Sequence, residues 1–222
     1  MLNPGTLQGL VNGALKEIEE LYGTEGQTPL AYHNQGHTAQ VVEAARKITG
    51  RAVVARKISR DDETLVVLAA AYHDRVQREG SGVNEYKSSQ LLHEMVVRVL
   101  HWGDRQDLMA TFEEAIMATR VEYIGGIMRQ AVDDDSSYTA KILADADLSI
   151  LGEKPEIHFP AVRGLLRELH GENPSREETV KFLTNQMRLL ETHEWFTEEA
   201  EQLFPHQREN AEITRRMLDL LH

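Results

Sequence analysis

The sequence predicts an all-α, single-domain fold, and three observations predict it. Apolar residues recur at helical spacing almost throughout the chain. No convincing run of alternating β-branched residues bounded by hairpin turns interrupts that pattern. Across 222 residues the composition never shifts in a way that would mark a linker, and this length suits one substantial core.

Each element has its own local warrant. Helix 4–22 carries Leu7, Leu10, Val11, Leu15, Ile18 and Leu21 as an apolar stripe. The next helix, 37–49, opens at His37 and continues inward through Val41, Ala44, Ala45 and Ile48. Ahead of helix 61–74 stands Ser59-Arg60-Asp61-Asp62-Glu63, a capping hydroxyl followed by acids that favour the positive end of a helix dipole. That helix contains the apolar run Leu65-Val66-Val67-Leu68-Ala69-Ala70-Ala71-Tyr72 and ends in His73-Asp74. Asn84-Glu85 begins helix 84–101, Gly103 interrupts, and helix 105–120 stops before Gly125-Gly126. The acidic stretch Asp133-Asp134-Asp135-Ser136-Ser137 reads as a solvated loop leading into a cap, with no functional role. Helix 137–151 follows and Gly152 closes it; helix 156–170 ends at Gly171-Glu172-Asn173-Pro174. Ser175-Arg176-Glu177-Glu178 caps helix 176–192, and helix 197–221 is the last.

Composition excludes several chemistries. A net charge of −12 and a sequence pI near 5.3 argue against extended nucleic acid or an anionic membrane surface as a partner, since either requires clustered Lys and Arg. The absence of cysteine removes disulfides, thiolate zinc sites, iron–sulfur clusters and cysteine nucleophiles together. The first residues, Met1-Leu2-Asn3-Pro4-Gly5-Thr6-Leu7, lack a basic segment followed by an apolar one, and no apolar stretch approaches the roughly 18 residues that span a bilayer. The expectation is a soluble cytoplasmic protein; the oligomeric state is not legible.

Two adjacent metal-ligand side chains, His73 and Asp74, terminate what reads as a buried helix, and buried polar groups need compensation. A His-Asp dipeptide alone is a common chance pair, so its company decides. Upstream stands Tyr32-His33-Asn34-Gln35-Gly36-His37-Thr38, and downstream Asp145-Ala146-Asp147-Leu148. His37 lies on the inward face of its helix. Asp147 shares a face with Leu143, Ile150 and Leu151, whereas Asp145 has Lys141 and Ser149 one turn away on either side. Asp147 is therefore expected to point inward and Asp145 outward. His37, His73, Asp74 and Asp147 make a mixed nitrogen and oxygen ligand set that suits one divalent ion, Mn, Fe, Co, Ni or Zn, and Mg less well. On a six-coordinate ion, open positions would remain for water and a substrate oxygen, and the ion would lower the pKa of that water. His33 either supports a ligand or touches substrate, or it caps the helix.

This order of residues resembles the HD-domain superfamily of metal-dependent phosphohydrolases. Tyr32-His33-Asn34…His37, Tyr72-His73-Asp74, Asn84-Glu85…Ser88, Ala118-Thr119, Asp145-Ala146-Asp147-Leu148-Ser149-Ile150-Leu151-Gly152 and Arg208-Glu209-Asn210 together look like a bacterial branch described as predicted metal-dependent HD phosphohydrolases. The Asp-Ala-Asp-Leu segment and the Asn-Glu pair are the more specific pieces. The resemblance implies ligands at His37, His73, Asp74 and Asp147, the set that facing and chemistry also select. Two departures stand out. Some HD nucleotidases place a general acid shortly after the His-Asp pair, where this chain has Gln77, so Glu85 becomes the candidate acid beside Asp74. After Ala118-Thr119 the branch commonly has a histidine, where this chain has Arg120-Val121-Glu122; with His93 and His101 poorly placed, a second metal is not expected.

For an anionic substrate, Arg75 and Lys87 are near in sequence and Arg163 or Arg167 could reach from a later helix. His158, His170, His193, His206 and His222 show no ligand spacing and are read as structural or surface residues. The expected function is metal-dependent hydrolysis of a small phosphate ester, a nucleotide among the candidates. The rivals are a non-catalytic HD module that binds a nucleotide or partner, and a di-iron HD-fold oxygenase.

Overall fold

Helix starts in this chain are fixed by side chains that accept otherwise unpartnered backbone amides. Asn3, Asn34, Ser59, Ser137, Ser175 and Thr197 each cap a helix in this way. Ser59 with Asp62, and Ser175 with Glu178, close reciprocal capping boxes. The computed structural model describes residues 2–100, 106–124 and 127–221. His101, Gly103, Gly125-Gly126 and His222 lie outside the described residues.

In chain order the elements are α1 (Pro4–Tyr22), α2 (Gln35–Val54), α3 (Arg60–Tyr72), α4 (Val83–Leu100), α5 (Gln106–Met117), β1 (Val121–Ile124), β2 (Ile127–Gln130) and α6 (Tyr138–Asp147). A 3-10 helix (Leu148–Gly152) follows, then α7 (Pro155–His170), α8 (Arg176–Thr192), α9 (Glu198–Leu203) and α10 (Gln207–Leu221). The all-α class holds.

α3 is the central element. Every residue from Leu65 to Tyr72 is buried, because α1, α2, α4, α5 and α6 all pack on it. A helix apolar on all sides is one that solvent never reaches, and Ala69-Ala70-Ala71 let its neighbours come close. His73-Asp74 emerges from the end of this core helix.

Three expectations need correction. The predicted helix 105–120 stops at Met117, and Val121–Ile124 pairs antiparallel with Ile127–Gln130, Val121 opposite Gln130 and Tyr123 opposite Met128. Strands of four residues carrying Glu122 and Arg129 hold too little alternation to register as sheet. The predicted helix 137–151 ends at Asp147 and tightens into the 3-10 helix. The predicted helix 197–221 is two helices, because Pro205 lacks an amide proton and holds Phe204 out of the helical region.

The 3-10 helix is wedged against that corner. A Cβ on Gly152 would collide with the Phe204 carbonyl oxygen and come within 2.6 Å of the Phe204 Cβ, so this position requires glycine. The buried Asn210 Nδ2 donates to the carbonyls of Leu151 at 2.9 Å and Glu153 at 2.8 Å. α10 thereby clamps the segment that follows Asp147. Among the described residues no helix is long and apolar enough to cross a membrane.

Candidate metal centre

Four side chains converge where α2, α3 and α6 meet. His37 sits in the first turns of α2, whose entry is set by Asn34: its Oδ1 accepts the Gly36 amide at 2.9 Å and its Nδ2 donates to the Leu30 carbonyl at 3.1 Å. The His73 Nδ1 bonds the Ala70 carbonyl oxygen at 2.8 Å, which places a proton on Nδ1 and leaves the Nε2 lone pair facing inward. Asp74 follows directly, and Asp147 is the last residue of α6.

The His37 Nε2 lies 3.2 Å from Asp74 Oδ2 and 3.4 Å from Asp147 Oδ1; the His73 Nε2 lies 3.3 and 3.4 Å from the same two atoms. His37 Nε2, His73 Nε2 and Asp74 Oδ2 are buried, and among the described residues none has a hydrogen-bond partner. Such orphans cost about 1–3 kcal/mol each, more when charged. Donors from His37, His73 and Asp74 lie within 4.8 Å of one another and could hold a metal ion.

Electrostatics point the same way. Burial pushes the His73 imidazole down, but the Asp74 and Asp147 carboxylates more than reverse it, so its pKa stands well above the ordinary value. The same balance raises His37. Burial would raise Asp74, yet His73 and His37 hold it well below the usual carboxylate range, and Asp147 is lowered likewise. The cluster favours ionised carboxylates and attracts positive charge, which a divalent ion could supply in place of imidazole protons.

Supporting groups come from a strand the sequence did not disclose and from two helices it did. The buried Gln130 on β2 donates through Nε2 to the Ala144 carbonyl at 3.0 Å and to Asp147 Oδ2 at 3.3 Å, leaving Oδ1 toward the imidazoles. Behind the His-Asp corner, the Tyr22 hydroxyl accepts the Gln77 amide at 3.1 Å and donates to the Arg75 carbonyl at 3.3 Å. The Ser88 hydroxyl accepts the Val76 amide and Asn84 Oδ1 accepts the Glu79 amide, so the Asn84-Glu85…Ser88 segment orders the loop leaving Asp74.

Asp145 corrects the facing argument. Far from pointing outward, it is fully buried and accepts the Phe196 amide at 2.9 Å, the Thr197 amide at 2.8 Å and the Thr197 hydroxyl at 2.6 Å. Burial pushes its carboxyl up to about 7 despite those donors. Its role is to anchor the N-terminus of α9. Helical periodicity failed here because α9 covers the face that Lys141 and Ser149 had marked as polar.

His33 lies beside the cluster, its ring edge-on to His37 at 5.5 Å between centroids. Its Nδ1 sits 2.5 Å from Glu168 Oε1, and Glu168 Oε2 accepts the amides of Tyr32 at 2.8 Å and His33 at 3.0 Å. Glu168 escaped the sequence reading because 135 positions separate the partners. Its reach depends on Gly164, one turn earlier on α7, where a Cβ would stand 2.8 Å from the Ala31 carbonyl oxygen. The hydrogen bonds to His33 and Tyr32 hold the Glu168 carboxyl below its usual range against the upward push of burial.

The remaining candidates are engaged elsewhere or exposed. Glu85 accepts the Gly82 amide at 2.5 Å at the start of α4. Arg75 pairs with Glu17 on α1 through Nε at 3.1 Å and Nη2 at 2.9 Å, and Lys87 pairs with Glu79 at 2.7 Å. Arg163 is exposed, and Arg167 pairs with Glu172. His158 is buried against the Ile150 carbonyl at 2.9 Å, while His170 and His206 pair with Glu178 and Glu209. Comparison with protein-family models and with curated proteins finds no match to this chain.

Proposed function

We propose that the protein is a metal-dependent phosphohydrolase of the HD type acting on a small phosphate ester. The observation that carries this reading is the convergence of buried polar atoms from His37, His73 and Asp74 that make no hydrogen bond among the described residues and face one another at 3.2–3.3 Å, with Asp147 completing the ring. These four residues would hold one divalent ion, Mn, Fe, Co, Ni or Zn ahead of Mg. An ion bound there supplies an activated water and an electrophilic partner for a phosphoryl oxygen.

The chain's own residues supply orientation and protons. Gln130 fixes the Asp147 carboxylate and the Ala70 carbonyl fixes the His73 tautomer. Tyr32 packs on His37 at 4.6 Å between ring centroids and shields that face from water. His33, with Nδ1 committed to Glu168, is the group we assign to give a proton from Nε2 to the leaving oxygen as the phosphorus–oxygen bond breaks. The Glu168–His33 pair takes over the role expected of Glu85, whose carboxylate holds the Gly82 amide.

Apo-protein reloaded separately with each of the six ions should hydrolyse at least one member of a panel of nucleoside monophosphates, cyclic nucleotides and aryl phosphates. His33→Asn should keep its metal and slow esters with poor leaving groups by about a hundredfold, sparing aryl phosphates whose leaving oxygen needs little protonation. Glu85→Gln in the same assay should change little. Inactivity with every ion would overturn the hydrolase reading in favour of a module that binds and does not turn over.

A further inference from the structure

A cavity of about 320 Å³ opens onto the cluster beside His37 and Asp147, between α2, the 3-10 helix and the start of α7. Its walls are short and aliphatic: Ala39, Ala44, Ile150 and Ile157 line it, and among the described residues no Phe, Tyr or Trp does. Its charge is the informative part. Away from the candidate ligands the described lining has two carboxylates, Glu43 and Glu153, and one cation, Lys47, which stands 3.6 Å from Glu43. Glu153 is half-buried; its backbone carbonyl accepts Asn210, and among the described residues no side-chain hydrogen bond or ion pair engages its carboxylate.

Resting on the phosphohydrolase reading above, we propose that this cavity selects a small phosphomonoester carrying an amine, with the phosphate at the His37–Asp147 end and the ammonium against Glu153. A carboxylate facing the body of a substrate attracts a cation and repels added anionic charge. A nucleoside di- or triphosphate would bring several negative charges past Glu43 and Glu153, and its base would find no ring to stack on. An aminoalkyl phosphate fits the volume, offers apolar methylenes to Ile150 and Ile157, and neutralises Glu153.

Calorimetry on metal-loaded protein separates binding from turnover by using three non-hydrolysable probes: 2-aminoethylphosphonate, propylphosphonate and the phosphonate analogue of adenosine monophosphate, in which a methylene replaces the ester oxygen. The aminoalkyl probe should bind about tenfold more tightly than propylphosphonate, the scale of a charge-assisted hydrogen bond at a half-buried carboxylate. Glu153→Gln should erase that preference while leaving propylphosphonate affinity unchanged; Glu43→Gln should reduce it less, because Lys47 already offsets that charge. Equal affinities in the wild type, tighter binding of the nucleotide, or a preference that survives Glu153→Gln would overturn the proposal while leaving the hydrolase reading intact. A protein that holds its metal and takes no phosphonate at all would overturn both.

Discussion

Asp145 and Asp147 stand two residues apart and do different work. Asp147 closes the ring around the His37 and His73 Nε2 atoms, whereas Asp145 holds the Phe196 and Thr197 amides just ahead of α9. Asp147→Asn should therefore lose bound metal and melt close to the metal-free wild type. Asp145→Asn should keep the metal but turn an amide donor toward at least one backbone donor, costing about 1–3 kcal/mol. For a chain of this size each kcal/mol lowers the midpoint by roughly 2–4 °C. Elemental analysis paired with thermal denaturation checks both; metal loss in the Asp145 variant, or none in the Asp147 variant, would reverse the assignment. The inward turn of Asp147 was legible from Leu143 and Leu151 at helical spacing. That of Asp145 was not, because its partners lie about fifty residues away.

The same division between local and distant partners appears among the elements. α1 was readable to its ends, since Asn3 and Pro4 start it and its apolar stripe is unbroken. The hairpin was not, although it brings Gln130 onto Asp147. Gln130→Leu keeps the volume and removes both donated bonds, so helical content should persist while metal affinity falls about tenfold, the usual loss when a ligand's supporting bond is removed. Competition with a chelating dye measures this, and unchanged affinity would make the hairpin a mere cover. The break between α9 and α10 was missed, although Pro205 marks it locally, and its contact with Gly152 is something sequence spacing does not encode.

At the scale of the whole molecule, buried titratable groups set the response of stability to acid. The His193 imidazole is held by burial near a pKa of about 4, against 6.5 when unfolded. Between those values the unfolded chain binds the proton and the folded chain does not, so stability present above about 6.5 is lost as pH falls toward 4. Asp145 acts in the opposite sense over much of this window, because its folded pKa of about 7 lies above its unfolded one. The wild-type curve therefore mixes two signs, and a difference isolates one. The midpoint of His193→Gln relative to wild type should become more favourable as pH is lowered from 7 to 4.5, by at most about 1.4 kcal/mol per unit. A difference that stays constant with pH would show that His193 titrates normally.

The sequence by itself determined the helical class, the caps and the inward faces of α2 and α3, since these depend on residues a few positions apart along one element. Its His-Asp corner and its Asp147 were likewise expected at a core face, and the structure brings them to His37. Only the tertiary structure decided that Glu168 holds His33, that Gln130 holds Asp147, that Asp145 serves α9, and that Arg75 and Lys87 are committed to Glu17 and Glu79. The physical reason is one of range. Periodicity and capping act within a turn or two of helix, whereas a hydrogen bond between distant segments depends on how whole elements pack, and no local pattern records that.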